Sequence, residues 1–97
     1  MRAQMVTGLF QYESCDLQVQ NETLHVKCQK TSQILHISVL SEATLTCSQK
    51  GLCQLQLSTP EKQYEFLVAD EGQAKEIMAT LMKLTKDNSR LEIRSIE

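Results

Sequence analysis

Apolar and polar side chains alternate along most of the chain between residues 15 and 69. A period of two residues is typical of β-strands that bury one face and expose the other. Short polar segments, several of them with Asn, Gly or Pro, interrupt this alternation repeatedly. The pattern therefore predicts a series of antiparallel strands joined by hairpin turns.

The first hairpin in this series is predicted to turn at residues 21–22. A two-residue turn at this position sets Val19 opposite Leu24 and Cys15 opposite Cys28. All four side chains then lie on the same face of the hairpin. The apolar pattern and the turn therefore agree on one register.

The next hairpin is predicted to turn at residues 30–31. This register pairs Val26 with Leu35 on the apolar face and His25 with His36 on the polar face. A histidine pair can bind protons or a metal ion. Because the predicted pair lies on an exposed face with no nucleophile beside it, we interpret it as ordinary surface.

Two later loops contain residue types that favour chain reversal. Gly51 can adopt the left-handed conformation that a three-residue hairpin loop requires, and this loop sets Cys47 opposite Cys53. Pro60 suits the first central position of a turn over residues 59–62. Both loops continue the antiparallel pattern.

The two ends of the chain complete the predicted elements. Residues 5–12 predict a first strand that is broken or bent near Gly8. After Val68 the apolar period lengthens to that of a helix, which predicts an amphipathic helix over about 71–87 with Asp70 as its N-cap. The apolar stripe of this helix comprises Ala74, Ile77, Met78, Leu81 and Leu84.

Together these elements predict one domain over residues 1–97, since a chain of this length has room for a single core. The predicted fold is mainly β with one C-terminal helix. About seven antiparallel strands, within residues 5–69, form a bent sheet or partly open barrel that the helix caps. Asn88 is predicted to stop the helix, and residues 90–97 to form a short final strand or a tail.

Charge and composition disfavour several classes of function. The net charge is -2 and the ten Lys and Arg residues are scattered, so no basic stripe is available for nucleic acid or anionic lipid. No two carboxylates are predicted to share a cleft, and the three glycines are isolated. We therefore predict a protein that is not an enzyme, with no cofactor and no metal site.

The four cysteines allow two interpretations. In an oxidising compartment the two opposed pairs would form cross-strand disulfides, and the glycosylation sequon at residues 21–23 would suit a secreted protein. In a reducing compartment all four would be small core side chains. Because residues 1–14 lack the apolar segment of a signal peptide, we favour reduced cysteines and a cytoplasmic or nuclear location.

The order of about seven antiparallel strands followed by one helix resembles the pleckstrin-homology-like superfold, and a polo-box-like domain shares this order. Within the superfold, residues 5–8, 54–57 and 73–78 are similar to the N-terminal pleckstrin-like module of some nuclear ubiquitin-specific proteases. The resemblance implies a bent sheet or barrel plugged by its last helix. Lipid-binding members carry several basic residues in the first hairpin, whereas residues 12–27 contain only Lys27. Phosphoinositide binding is therefore not expected.

Four apolar residues occupy positions of the predicted strands that otherwise hold polar, outward-facing side chains. They would therefore face outward, where they could bind a partner. These candidate partner-binding residues are Ile34, Leu40, Leu52 and Leu67. We predict an intracellular interaction module, an adaptor or scaffold, that binds a peptide or partner domain in the groove between helix and sheet or at an exposed sheet edge. The alternatives are a lipid-headgroup-binding module and a secreted, disulfide-stabilised domain.

Overall fold

The computed structural model of the protein describes residues 1–85 and 90–95. It confirms a mainly β fold with one α-helix and a curled sheet. No helix in the described part of the chain is long and apolar enough to cross a membrane. The elements are β1 (Arg2–Gly8), β2 (Gln11–Gln20), β3 (Thr23–Cys28), β4 (Ser32–His36), a 3₁₀-helix (Ile37–Val39), β5 (Glu42–Cys47), β6 (Cys53–Ser58), β7 (Gln63–Val68), α1 (Glu71–Leu84) and β8 (Arg90–Ser95).

These strands form one curled sheet in the order β4-β3-β2-β1-β7-β6-β5-β8. Two antiparallel meanders, β1 to β4 and β5 to β7, are joined where β1 pairs with β7. The last strand, β8, lies parallel to β5. The two edges of the sheet are therefore β4 and β8.

The predicted register of the first hairpin is confirmed. Cys15 lies opposite Cys28 and Val19 opposite Leu24. Asn21 turns the chain with a φ of 56°, a left-handed conformation that Asn tolerates better than most residues. The hairpins between β5 and β6 and between β6 and β7 also have the predicted registers.

The predicted register of the second hairpin, which set His25 opposite His36, is wrong. In the structure Ile34 lies opposite His25, and every pair of this hairpin is displaced by two residues. The turn lies one residue earlier than predicted, since the N–H of Cys28 donates to the carbonyl of Thr31 at 2.8 Å. A displacement of two residues leaves the apolar side chains on the inner face, so the hydrophobic pattern alone did not distinguish the two registers.

Of the two forms predicted for the first strand over residues 5–12, broken or bent near Gly8, the structure has the break. β1 and β2 form a hairpin that reverses at Leu9 and Phe10, and Tyr12 belongs to β2. Phe10 makes the reversal with a φ of 58°. Because a bulky residue rarely adopts this conformation, the amino-acid type at this position gave no turn signal.

The helix begins as predicted. The Asp70 carboxylate accepts a hydrogen bond from the N–H of Gln73 at 3.0 Å and caps the first turn. The backbone becomes extended at Thr85, so the helix ends at Leu84. The predicted stop at Asn88 lies outside the described residues, while β8 confirms a final strand.

The core lies on the concave side of the sheet, where the apolar stripe of α1 packs against β5, β6 and the 3₁₀-helix. The predicted stripe is confirmed, because Ala74, Ile77, Met78 and Leu81 are all buried. The largest fully buried side chains of the described residues are Phe66, Leu17, Leu24, Ile37, Leu40, Leu45, Leu55, Leu57, Met78, Leu81, Val26 and Val68.

Two disulfides, Cys15–Cys28 and Cys47–Cys53, join residues directly opposite one another on neighbouring strands. The prediction of reduced cysteines is therefore wrong. Because disulfides persist in oxidising compartments, the bonds point to a secreted or extracellular environment and overturn the predicted cytoplasmic or nuclear location. The pairing register correctly set the two pairs of cysteines opposite one another.

Replacing Leu81 with Ala should lower the free energy of unfolding by about 2–5 kcal/mol, because the Leu81 side chain is completely buried. The adjacent Met82 is 41% exposed. We expect Met82→Ala to change the same free energy by about 0.5 kcal/mol or less. Urea titrations of both variants measure the difference, and equal losses would contradict the assignment of the buried face.

Removing either disulfide should also destabilise the fold. The Cys15→Ala/Cys28→Ala variant opens the longer loop, with a sequence separation of 13, and should lose about 3 kcal/mol. The Cys47→Ala/Cys53→Ala variant, with a separation of 6, should lose closer to 2 kcal/mol. Denaturant titrations test both values. Four free thiols by mass spectrometry, in protein recovered from an oxidising compartment, would refute both bonds.

Candidate functional site

The two edges of the sheet differ in the side chains that protect them. β8 presents three exposed charged residues, Arg90, Glu92 and Arg94, and charges of this kind discourage pairing with another strand. The sequence of β4 is Ser-Gln-Ile-Leu-His, with no Lys, Arg, Asp, Glu or Pro. β4 therefore lacks the charged side chains and the proline that commonly protect an edge strand.

Backbone hydrogen bonds at the two ends of β4 determine which of its groups face outward. The N–H of Cys28 donates to Thr31 at 2.8 Å, and the N–H of Ile37 donates to the carbonyl of Glu22 at 3.0 Å. Hydrogen-bonded and non-bonded pairs alternate in an antiparallel ladder, so residues 33 and 35 bond to β3. The backbone N–H and C=O groups that point away from β3 belong to Ser32, Ile34 and His36.

An exposed apolar side chain lies at the centre of this free edge. Ile34 is 59% exposed on the outer face of the sheet, opposite the half-buried His25. Val39, just beyond β4 in the 3₁₀-helix, is also exposed. Leu35 faces the core and holds β4 against the domain. The edge thus combines backbone groups that point away from β3 with the exposed apolar side chain of Ile34, a residue that the hydrophobic pattern predicted.

Leu40, another predicted binding residue, does not face outward. It is only 2% exposed and belongs to the core. The 3₁₀-helix precedes it, and the N–H of Leu40 donates to the carbonyl of Ile37 at 3.1 Å. This helix breaks the two-residue period, so the parity that assigned Leu40 to the outer face does not apply beyond Ile37.

The structure brings Leu52 and Leu67, the remaining two predicted residues, together in an outer groove of about 720 Å³. Leu67 is half-buried on β7, and Leu52 is exposed in the loop between β5 and β6. The lining of this outer groove comprises Arg2, Ala3, Gln4, Ser14, Cys15, Asp16, Lys27, Cys28, Gln29, Leu52, Leu67 and Ala69. Its charged residues, Arg2, Asp16 and Lys27, alternate in sign across three neighbouring strands, and Ile34 is not part of its lining.

The most exposed large apolar side chains of the described residues are two that the hydrophobic pattern did not single out. Leu9 and Phe10 are both 85% exposed at the turn between β1 and β2. The signal that could have found them is the loss of alternation at Gly8. Interpreting Gly8 as the end of a strand, instead of a bend, places both side chains on a loop.

One group of potential metal ligands converges in the described part of the chain. The side-chain ligand atoms of Cys47, Cys53 and Glu71 lie within 4.8 Å of one another. The two sulfur atoms are bonded to each other. Because cysteine binds zinc as a thiolate, the disulfide leaves this group without the ligands that a zinc site needs.

Comparison with models of protein families gives no match, and comparison with curated proteins gives none either. The resemblance to pleckstrin-homology-like and polo-box-like domains therefore stays a prediction.

Amide hydrogen exchange should alternate along β4. The amides of Ser32, Ile34 and His36 should exchange roughly five- to tenfold faster than those of Gln33 and Leu35, which each have about 1 kcal/mol of additional hydrogen-bond protection. Nuclear magnetic resonance resolves the individual amides. Equal protection of all five amides would contradict the assignment of Gln33 and Leu35 as the residues of β4 that hydrogen-bond to β3.

Proposed function

We propose that the protein is a disulfide-stabilised interaction domain of an oxidising compartment, and that it binds an extended segment of a partner protein by strand addition at β4. The observation that carries this proposal is the uncharged edge of β4, with three residues whose backbone groups point away from the sheet. The two disulfides support the compartment. Strand addition is an established mode of peptide recognition.

Backbone pairing would supply only part of the affinity. Each neutral hydrogen bond contributes about 0.5–1.5 kcal/mol net, while ordering each residue of a flexible segment costs about 1–2 kcal/mol. The two contributions nearly cancel. Binding therefore depends on burying apolar surface, and Ile34 is the side chain at the centre of the free edge that can be buried by a partner.

The geometry of the edge sets the pattern of the partner segment. Side chains of an added strand alternate between the two faces of the sheet, and those on the outer face lie beside Ser32, Ile34 and His36. We expect a β-branched or aromatic residue beside Ile34, because such cross-strand pairs are favourable. Polar residues are expected beside Ser32 and His36.

Covalent and polar contacts hold the edge in place before a partner arrives. The Cys15–Cys28 disulfide fixes the last residue of β3, directly before the turn into β4. On the turn itself, the N–H of Lys30 donates to the Glu13 carboxylate at 3.0 Å. A strand that is already ordered loses less conformational entropy on binding, which favours affinity.

The proposal is tested with the oxidised chain and a displayed library of random ten-residue peptides. Ile34→Pro removes an N–H that points away from β3, so the ladder within the domain stays intact, while a new strand loses its central donor. We expect this variant to bind the selected peptides at least about tenfold more weakly than wild type. Ile34→Thr, the matched control, keeps both the N–H and the β-branch and should bind more tightly than Ile34→Pro.

Three results would overturn the proposal. The library could yield no binding peptide. Binding could be unchanged in Ile34→Pro and lost in Leu52→Asp, which would place the site in the outer groove. Analytical ultracentrifugation could show a wild-type dimer that Ile34→Pro dissociates, in which case a second copy of the chain occupies the edge. Circular dichroism of each variant verifies that it is folded.

A further inference from the structure

We propose that Asn21 is the acceptor of an N-linked glycan. Asn21, Glu22 and Thr23 form the sequence Asn-X-Thr, and the second asparagine of the chain, Asn88, is not followed by Ser or Thr two positions later. N-linked glycans are attached in the same oxidising compartments in which disulfides form. The two disulfides are thus an observation, separate from the sequon, that places the chain where this modification occurs.

The position of Asn21 in the fold suits a large attached group. Asn21 is exposed at the turn between β2 and β3, away from the core. No described residue forms a hydrogen bond with its side-chain amide, and its φ of 56° is one that Asn tolerates. A glycan on Nδ2 would therefore extend into solvent without displacing a packed side chain or breaking a contact.

The second requirement of the sequon, the Thr23 hydroxyl, is engaged in the folded domain. Its Oγ1 donates to the carbonyl of Gln20 at 2.7 Å and lies 3.0 Å from Nε2 of His25. The transferring enzyme recognises this hydroxyl. The enzyme therefore has to bind Thr23 before these contacts form. We place the transfer on the unfolded chain, before the hairpin of β2 and β3 closes.

The transfer consumes a lipid-pyrophosphate-linked oligosaccharide and needs an oligosaccharyltransferase of the same compartment. Nδ2 of Asn21 forms a bond to the anomeric carbon of the first sugar. The bond between that carbon and the pyrophosphate oxygen breaks, and its electron pair leaves with the lipid pyrophosphate. The amide gives up one proton to a base, and no oxidant or reductant takes part.

The test uses the full chain, produced behind a cleavable secretion signal in eukaryotic cells. We expect the secreted wild-type protein to carry a glycan mass that peptide N-glycosidase removes, with conversion of Asn21 to Asp. Asn21→Asp removes the acceptor and keeps a residue that tolerates the turn, and Thr23→Val removes only the hydroxyl. Both variants should be secreted without a glycan, whereas Thr23→Ser, the matched control, should still carry one.

Secreted wild-type protein with both disulfides formed and an unmodified mass would overturn the proposal. A glycan that persists in the Asn21→Asp variant would do the same, because it would be attached elsewhere. Peptide mapping of the wild type by mass spectrometry assigns the attachment site directly.

Discussion

The pairing of β1 with β7 holds the two halves of this domain together. The two halves, β1 to β4 and β5 to β7, are antiparallel meanders in which strands that follow one another in sequence are paired. Where Met5 lies opposite Phe66, the two become one curled sheet, and Phe66 is completely buried at the junction. The apolar stripe of α1 then fills the concave side. The junction joins β4-β3-β2-β1 to β7-β6-β5-β8, so that β4 and β8 are the two edges of one sheet.

Local features of the fold were predictable from the sequence because they depend on neighbouring residues. The turn at Asn21, the cap at Asp70 and the buried stripe of α1 all follow from residue type and period. The structure differs from the predictions where the backbone departs from these rules. Phe10 is left-handed without being Gly or Asn, and the 3₁₀-helix interrupts the alternation before Leu40. Neither departure has a signature in the side chains.

The candidate site was less accessible, because it depends on contacts between distant parts of the chain. The pattern identified Ile34 as an outward apolar residue, but its location on a free edge requires knowing the strand order. No tight turn connects β1 with β7 or β5 with β8, so the sequence has no local signal for either pairing. The opposed cysteine pairs were deduced from two hairpin registers, whereas their oxidation state depends on the compartment, which local spacing does not encode.

The parallel pairing of β8 with β5 also limits assembly. Without β8, the strand β5 would be a second open edge, and a molecule with two open edges can add copies at both sides without end. Contacts that do not close on themselves generate filaments. β8 covers β5 and presents Arg90, Glu92 and Arg94, whose charges discourage the addition of a further strand on that side. If a partner strand pairs with β4, as proposed, the charges of β8 work against propagation of the sheet from the opposite edge.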